Sequence, residues 1–421
     1  MEATTTYHLY GGEKLRLAVK LPASKSISNR ALIIHTLAGG THTPANLSTC
    51  DDTEVLVRAL KDMPPVINIK AAGTAMRFMT TLLSATDSGE HVITGTERMQ
   101  HRPIKPLVDA LRHLGADISY ESKEGFPPLR IRGRRLTGGV LEVESSVSSQ
   151  YISALLLIGP TLEHGLELRL QGEVISRPYI DLTLWMMREF GADAEWNSVD
   201  TITVRPKIYK EREHYYIEND WSAASYWYEM VALSKDREAE VTLEGLMDGS
   251  KQGDSAVRYI FSLLGVNTKM ASRRHGEITT VTLKKSKNRV KRLEYDFAGQ
   301  PDLAQTVVVC CALLGVHFHF TGLQTLKIKE TDRIEALKKE MGKLGYVIRD
   351  VDGQELIWEG ERCEPQELPT IDTYEDHRMA LAFAPAALLR PVAINNPSVV
   401  SKSYPHYWED LRKAGMKIES T

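Results

Sequence analysis

Six stretches of the chain are apolar almost from end to end, yet each opens on a cluster of polar residues. They read PASKSISNRALIIHTLA from Pro22, AGTAMRFMTTLLSA from Ala72 and SVSSQYISALLLIG from Ser146, followed by NDWSAASYWYEMVAL from Asn219, QPDLAQTVVVCCALLG from Gln300 and YEDHRMALAFAPAALL from Tyr374. Apolar residues on every face predict a helix buried all round. After each run comes a segment with apolar residues at helical spacing, which predicts an amphipathic helix. KPLVDALRHLGADI, YIDLTLWMMREFGADA, AVRYIFSLLGVNT, RIEALKKEMGKLGYVI and HYWEDLRKAGMKI are of this kind. Glycines 115, 191, 265, 345 and 415 stand where a left-handed cap ends these helices, whereas DTEVLVRALKDMPP uses Pro64 and Pro65 as its stop. Short alternating stretches such as LEVES, GLELRLQG and AEVTLEG predict strands, and HLYGGEKLRLAVKL predicts a first strand ahead of the first helix.

The pattern is six copies of one mixed helix/strand unit, the last five starting roughly 75 residues apart. A chain of 421 residues exceeds one conventional core, so two domains of three copies are expected, with a break near Tyr215 to Asp220.

A helix start carries unpaired N–H groups and a partial positive charge. Ser, Thr, Asn and Asp caps explain part of the polarity. They do not explain Lys25, Arg30, Arg77 or Arg378, because a cation there opposes the dipole at a cost of a few tenths of a kcal/mol. A compensating anion is the expectation. Three such starts facing one cleft make an anion-binding surface of backbone donors, dipoles and side-chain cations. Arg98 and Arg102 in GTERMQHRPIKP, Arg177 beside Ser176 in VISRPYID, Lys327, Lys329 and Arg333 in KIKETDRIEAL, and Lys402 in VSKSYPHYW sit at similar junctions. Each alone reads as a solvated charge. Asp302 reads as a cap or a base, Glu330 as a salt-bridge member or a proton donor, and His377 as a donor or a cap neighbour.

Composition narrows the partners. The net charge of −3 provides no global basic field, so neither nucleic acid nor an anionic membrane is expected. Cys50, Cys310, Cys311 and Cys363 show no zinc spacing and suit a reducing, cytoplasmic compartment. No signal or transit pattern opens the chain, and no apolar run reaches 18 residues.

Nine motifs in order, LPASKSISNRAL, AGTAMR, ERMQHRPIKPLVDALRHLGA, SVSSQYISALL, SRPYIDLTL, PDLAQT, KETDRIEAL, DHRMALAF and SKSYPHYWEDL, carry a resemblance over nearly the whole chain. The chain resembles the 5-enolpyruvylshikimate-3-phosphate synthase family, the 3-phosphoshikimate 1-carboxyvinyltransferases. The resemblance implies an α/β (α+β) class protein with a two-lobed inverse α/β fold of six βαβαββ units, three per lobe, and an active site in the interdomain cleft. Residues 1–20 with 220–421 then form the C-terminal lobe and 21–219 the N-terminal lobe. The implied partners are the small-molecule substrates shikimate 3-phosphate and phosphoenolpyruvate, acted on by a monomer with no metal and no organic cofactor. Carried over by motif, Lys25, Ser26, Arg30, Ser148, Ser149, Gln150, Ser176, Asp302 and Lys329 hold shikimate 3-phosphate. Lys25, Gly73, Arg102, Gln150, Arg333, Arg378 and Lys402 hold phosphoenolpyruvate. Glu330 is the implied proton donor to the methylene carbon, and Asp302, with Lys25 assisting, takes the proton of the attacking hydroxyl.

The chain departs from that family at several positions. Ala71 replaces the asparagine of N-A-G-T, Phe78 a proline, Thr325 an asparagine and Trp221 a small residue. Losing one hydrogen bond to a charged ligand group costs roughly 1.5–3 kcal/mol. A changed response to glyphosate, the family's phosphoenolpyruvate-site inhibitor, is therefore expected. Two alternatives stand beside this reading. One is a UDP-N-acetylglucosamine enolpyruvyl transferase, a family that usually carries a cysteine where this chain has RMQHRP. The other is a non-catalytic anion-binding paralogue.

Overall fold

The computed structural model describes residues 5–145, 148–272 and 274–421. Ser146 and Val147, which open the third apolar run, lie outside the described residues. The fold divides into two compact units, Ala23–Ile217 and Met1–Pro22 together with Glu218–Thr421.

Among the described residues, five four-stranded sheets repeat one design. In the sheet built from Gly139–Glu144, Leu166–Gln171, Asp193–Trp196 and Thr201–Arg205, the first two strands are parallel, with Val140 opposite Glu167. The second strand pairs antiparallel with the fourth, and the fourth with the third. Parallel neighbours cannot be joined by a hairpin, so a helix must cross between them. That crossing helix is Ser149–Ile158, one of the six apolar runs, and the amphipathic helix Arg177–Glu189 then leads into the antiparallel pair.

Within Ala23–Ile217 a second sheet of this design holds Val66–Asn68, Glu90–Thr94, Asp117–Tyr120 and Leu129–Arg132. The first copy is reduced. It keeps the helices Lys25–Leu37 and Asp51–Asp62, but among the described residues only the parallel bridge Ala45 to Tyr216 stands where a sheet is expected. Six helix pairs therefore come with five sheets.

The other unit holds three sheets, and its first strands correct the reading of HLYGGEKLRLAVKL as one strand. Thr6–Tyr10 and Arg16–Lys20 are separate strands in different sheets. The break falls at Gly11, where a Cβ would lie 2.5 Å from the Ala387 carbonyl oxygen, so only glycine passes. Thr6–Tyr10 closes the sheet of Thr370–Ile371, Val392–Asn395 and Lys417–Ser420. Arg16–Lys20 pairs parallel with Glu240–Met247, so the whole Ala23–Ile217 unit is inserted between a strand and its crossing helix, Trp221–Leu233.

The six apolar helices form the centres of two cores, one in each unit. Gly73–Ala85 is buried at every position but Thr74, and Trp221–Leu233 at every position but Ser222. Each Leu or Ile so placed contributes about 1.5–3 kcal/mol relative to exposure. Some polar residues deep inside are satisfied within the helix, whereas both carboxyl oxygens of Glu229 are buried without a hydrogen-bond partner among the described residues. Thr80 and Ser84 donate to the Met76 and Thr80 carbonyls at 2.7 and 2.6 Å. The candidate chemistry lies at the first turns, where Lys25, Ser26, Thr74, Ser149 and Gln150 are only half-buried.

Candidate active site

In the Ala23–Ile217 unit, Ser24 caps the first helix by accepting from the Ile27 N–H at 3.4 Å. Lys25 begins that helix, and its Nζ meets Asp52 Oδ2 at 3.0 Å. Two neighbours have structural partners instead. Ser28 Oγ accepts from the Ser48 N–H at 3.1 Å, and Asn29 Oδ1 accepts from Thr53 Oγ1 at 2.9 Å.

Arg30 is buried and tied on all sides. Its Nε donates to Thr183 Oγ1 at 2.7 Å, its Nη2 to Ser153 Oγ at 3.1 Å and the Tyr179 carbonyl at 3.4 Å, and its Nη1 to the Ser26 carbonyl at 2.9 Å. The guanidinium lies 5.6 Å from the centroid of Phe78, the residue that stands in place of proline. None of these partners is an anion, and burial brings the Arg30 pKa down to about 10.

Gly73 opens the next buried helix at a place with no room for a side chain. A Cβ there would sit 2.7 Å from Arg102 Nη1 and 2.8 Å from Arg77 Nη1. Ala72, at the cap position, provides no side-chain hydrogen bond. The half-buried Arg102 side chain has no hydrogen-bonded or ion-paired partner among the described residues. Gln150 Nε2 donates to Thr74 Oγ1 at 3.2 Å and so joins the SSQ turn to the AGT turn. Ser148 caps the helix that Ser149 begins, its Oγ accepting from the Gln150 N–H at 3.2 Å. Ser176 is buried with φ +58°, a left-handed conformation that costs a non-glycine residue about 1–3 kcal/mol. Glycine would relieve that cost, so the serine side chain has a use of its own. Its neighbour Arg177 is spent elsewhere, 3.9 Å over the Trp196 ring and bonded to the Val199 carbonyl at 3.0 Å.

The second set lies in the other unit and centres on Arg333, which is 1 % exposed. Its Nε donates to Asp376 Oδ2 at 2.7 Å, its Nη2 to Glu330 Oε2 at 2.9 Å and its Nη1 to Asp302 Oδ1 at 3.2 Å. Arg378 Nη2 reaches the other oxygen of Asp302 at 2.8 Å, while its Nη1 donates to the Asp302 carbonyl and the Tyr226 hydroxyl at 3.2 and 3.3 Å. Lys329 Nζ stands 3.8 Å from Asp302 Oδ1. Three carboxylates thus share three cations. Lys402 Nζ sits apart from this knot and donates to the Glu375 carbonyl at 3.1 Å.

Asp302 is not a helix cap. It lies in the 3-10 turn Pro301–Leu303 ahead of the helix Ala304–Leu314. Burial alone would raise its pKa, but Arg378, Lys329 and Arg333 outweigh burial and hold it well below the usual carboxylate range. Burial in turn lowers Lys329 despite the attraction of Asp302. The cap of the Arg378 helix is Asp376, whose Oδ1 accepts from the Arg378 N–H at 2.9 Å.

Asp376, Asp52 and Tyr226 are site neighbours that sequence reasoning missed. For Asp376 a signal existed, since a carboxylate just ahead of an apolar helix is a cap candidate; Asp52 and Tyr226 carried none. Trp221 Nε1 and Thr325 Oγ1, both at departures from the family pattern, are buried without a hydrogen-bond partner among the described residues. No group of three or more His, Cys, Asp or Glu among the described residues is placed to hold a metal ion.

Comparison with known proteins agrees along the length of the chain. The family model for EPSP synthase (3-phosphoshikimate 1-carboxyvinyltransferase) matches residues 9–67 and 63–411. A 3-phosphoshikimate 1-carboxyvinyltransferase of Bacteroides fragilis is 58 % identical over 414 residues, which cover 98 % of each chain. One of Colwellia psychrerythraea is 33 % identical over 428 residues, covering 94 % of this chain and 96 % of that one. Among solved structures, an EPSP synthase from Acinetobacter baumannii aligns over 100 % of both chains with a TM-score of 0.78. At 22 % identity that likeness speaks for the mixed α/β fold alone.

Proposed function

The chain belongs to the EPSP synthase family, and on that premise we propose that its two residue sets divide one reaction between anion binding and acid–base chemistry. The reaction transfers the enolpyruvyl group of phosphoenolpyruvate to the 5-hydroxyl of shikimate 3-phosphate and releases phosphate. It serves the shikimate pathway to chorismate and the aromatic amino acids. Neither alternative is favoured, given a named relative matching 98 % of the chain and both candidate acids in place.

The observation that carries the division of roles is the knot around Arg333, in which protein carboxylates occupy cations suited to substrate anions. As the phosphate and carboxylate of phosphoenolpyruvate engage Arg333, Arg378 and Lys402, Asp302 loses part of its cationic surround. Its proton affinity then rises, turning a weak base into one able to take the hydroxyl proton. Glu330, on the same guanidinium, protonates the methylene carbon C3. That makes C2 electrophilic, the 5-oxygen attacks it, and a tetrahedral intermediate forms. Loss of phosphate with a methyl proton completes the exchange, with the two acids in reversed roles.

The other unit adds further anion-binding groups. Arg102 and the Gly73 backbone take phosphoenolpyruvate, while Ser26, Ser148, Ser149, Gln150 and Ser176, with Lys329, take shikimate 3-phosphate. Lys25 shifts between Asp52 and the substrates. Arg30 holds the Ser26 turn with four of its five N–H groups and keeps one Nη1–H for shikimate 3-phosphate. The enzyme works on this reading as a cytoplasmic monomer. Its four cysteines are all free, and no helix of the described residues is long and apolar enough to cross a membrane.

Phosphate release measured with purified protein tests the assignment. It should require both phosphoenolpyruvate and shikimate 3-phosphate, and stay silent when UDP-N-acetylglucosamine is the acceptor. Release with that acceptor, or none with shikimate 3-phosphate, would overturn it.

A further inference from the structure

A cationic cavity lies in the unit of Glu218–Thr421, at the far end of the helix Ala304–Leu314 from the Arg333 knot. It has a volume of about 810 Å³ and is lined by Arg237, Lys285, Lys287, Arg289, Lys291 and one acid, Glu238. The helix Ala304–Leu314 starts just after Asp302 and ends at Gly315, which lines this cavity. Eleven residues at 1.5 Å each span about 16 Å, so the cavity is separate from the acid–base set.

Helix ends offer an ordinary reason for cations here, and their magnitude can be weighed. Three helices, Trp221–Leu233, Val257–Leu263 and Ala304–Leu314, bring their C-terminal ends to the cavity through Ala232, Gly265 and Gly315. Each carries up to about half a negative charge, or roughly −1.5 together. Lys285 answers that charge directly, donating to the Ala232 and Ser234 carbonyls at 2.8 and 2.5 Å. Glu238 adds one negative charge and already faces Arg16 at 3.7 Å. Five cations against one acid and three helix ends leave a surplus of about +2.5. Counting nearby Asp236 as well, which accepts from the Leu15 and Glu238 N–H groups, still leaves about +1.5.

No side-chain hydrogen bond or ion pair joins Arg237, Lys287, Arg289 or Lys291 to another described residue, and all four are exposed. Gly315 leaves its stretch of wall open, with nothing within 4 Å of where a Cβ would stand. Burial lowers the Lys285 pKa, and Arg289 lowers it further, as expected where like charges crowd without an anion. The cavity exceeds what one phosphate needs and falls within the range of small-ligand pockets.

We propose that this cavity binds a small polyphosphate carrying two or three negative charges. Free inorganic pyrophosphate and a nucleoside diphosphate share the required chemistry.

Titration calorimetry of the full chain with pyrophosphate tests the proposal and needs no turnover, so it stands or falls apart from the catalytic reading. The unsubstituted protein should bind pyrophosphate. Lys287→Glu with Arg289→Glu, two exposed changes, should lose one binding event or weaken it at least about tenfold. Turnover without pyrophosphate should stay within about twofold, and Glu238→Gln should tighten binding a few-fold. ADP in place of pyrophosphate distinguishes the sources: tighter ADP binding that the double variant abolishes identifies a nucleotide site, and weaker binding an inorganic one. Equal pyrophosphate binding by both proteins would place the anion elsewhere and overturn the proposal, as would no binding at millimolar concentration.

Discussion

Arg30 and Arg333 are both buried arginines near helix starts, and they are held in opposite ways. Arg30 donates to two hydroxyls and two carbonyls, Arg333 to three carboxylates. Burial draws Arg30 down to about 10, whereas Asp376, Glu330 and Asp302 lift Arg333 above the usual guanidinium value against the same burial. A cation among neutral oxygens cannot give up a partner without leaving a buried charge exposed to nothing. A cation among carboxylates is electrically complete yet exchangeable, since an incoming anion can replace what an acid provides. The same distinction separates Arg102, with no partner among the described residues, from Arg378, which grips Asp302.

The contrast is tested most severely at the acids. Asp302→Ala and Glu330→Ala should each lower turnover at least about 10²-fold in steady-state phosphate release. A near-normal rate in either variant would remove that residue from its role and reduce the knot to a structural ion cluster.

The acids also titrate differently according to their company. Asp302, crowded by cations, contributes stability that is present above its unfolded pKa and lost as pH falls through its depressed folded value. Asp254 and Glu218 are buried without a cation bonded to them, and burial raises both to about 7. Between roughly pH 4 and 7 the unfolded chain releases protons that the folded chain keeps there, so their contribution declines as pH rises. Unfolding free energies from urea titrations at pH 5 and pH 8 should therefore differ by about 5 kcal/mol in favour of pH 5. Combining Asp254→Asn with Glu218→Gln should flatten that difference, and an unchanged slope would count against buried, proton-retaining acids.

The two arginines themselves come next. Arg333→Lys removes the fork that serves three carboxylates and should raise the KM for phosphoenolpyruvate about tenfold. Arg30→Lys should change that KM less than about threefold while costing about 1–2 kcal/mol of stability by urea denaturation. Equal KM shifts in both variants would erase the distinction drawn here. The smallest effect is expected from Gly73→Ala, where the new Cβ meets the ends of two flexible arginines rather than backbone. A rise of about twofold in the KM for phosphoenolpyruvate, with little change in that for shikimate 3-phosphate, is the anticipated result.

How much of this was legible in the sequence depends on the range of the interaction. The six buried helices were readable because uninterrupted apolarity is a local signal, and the glycine caps likewise, with φ of 100° at Gly115 and 85° at Gly191. Asp302 was visible as an acid at a helix start but not as the member of a 3-10 turn facing three cations. Those partners come from other elements, Arg378 lying on the helix His377–Phe383. Asp52 and Asp376 went unnoticed because their cations lie 27 and 43 positions away in the chain. The first strand was read as one because alternation continues on both sides of Gly11 and Gly12, and only the approach of Ala387 shows why the chain must break there. That the described residues hold no sixth sheet had no signature at all, since the first copy keeps both of its helices.

The strand Thr6–Tyr10 has a kinetic consequence of its own. Thr6 bonds to Asn395, 389 positions later, and exchanges backbone hydrogen bonds with Thr421. A ribosome adding 5–20 residues per second makes that strand wait roughly 20–80 s for its neighbours. The inserted unit Ala23–Ile217 is complete long before then. Synthesis thus finishes one half of the molecule while the opening segment of the other is still an unpaired edge, available to any chaperone or passing strand that reaches it first.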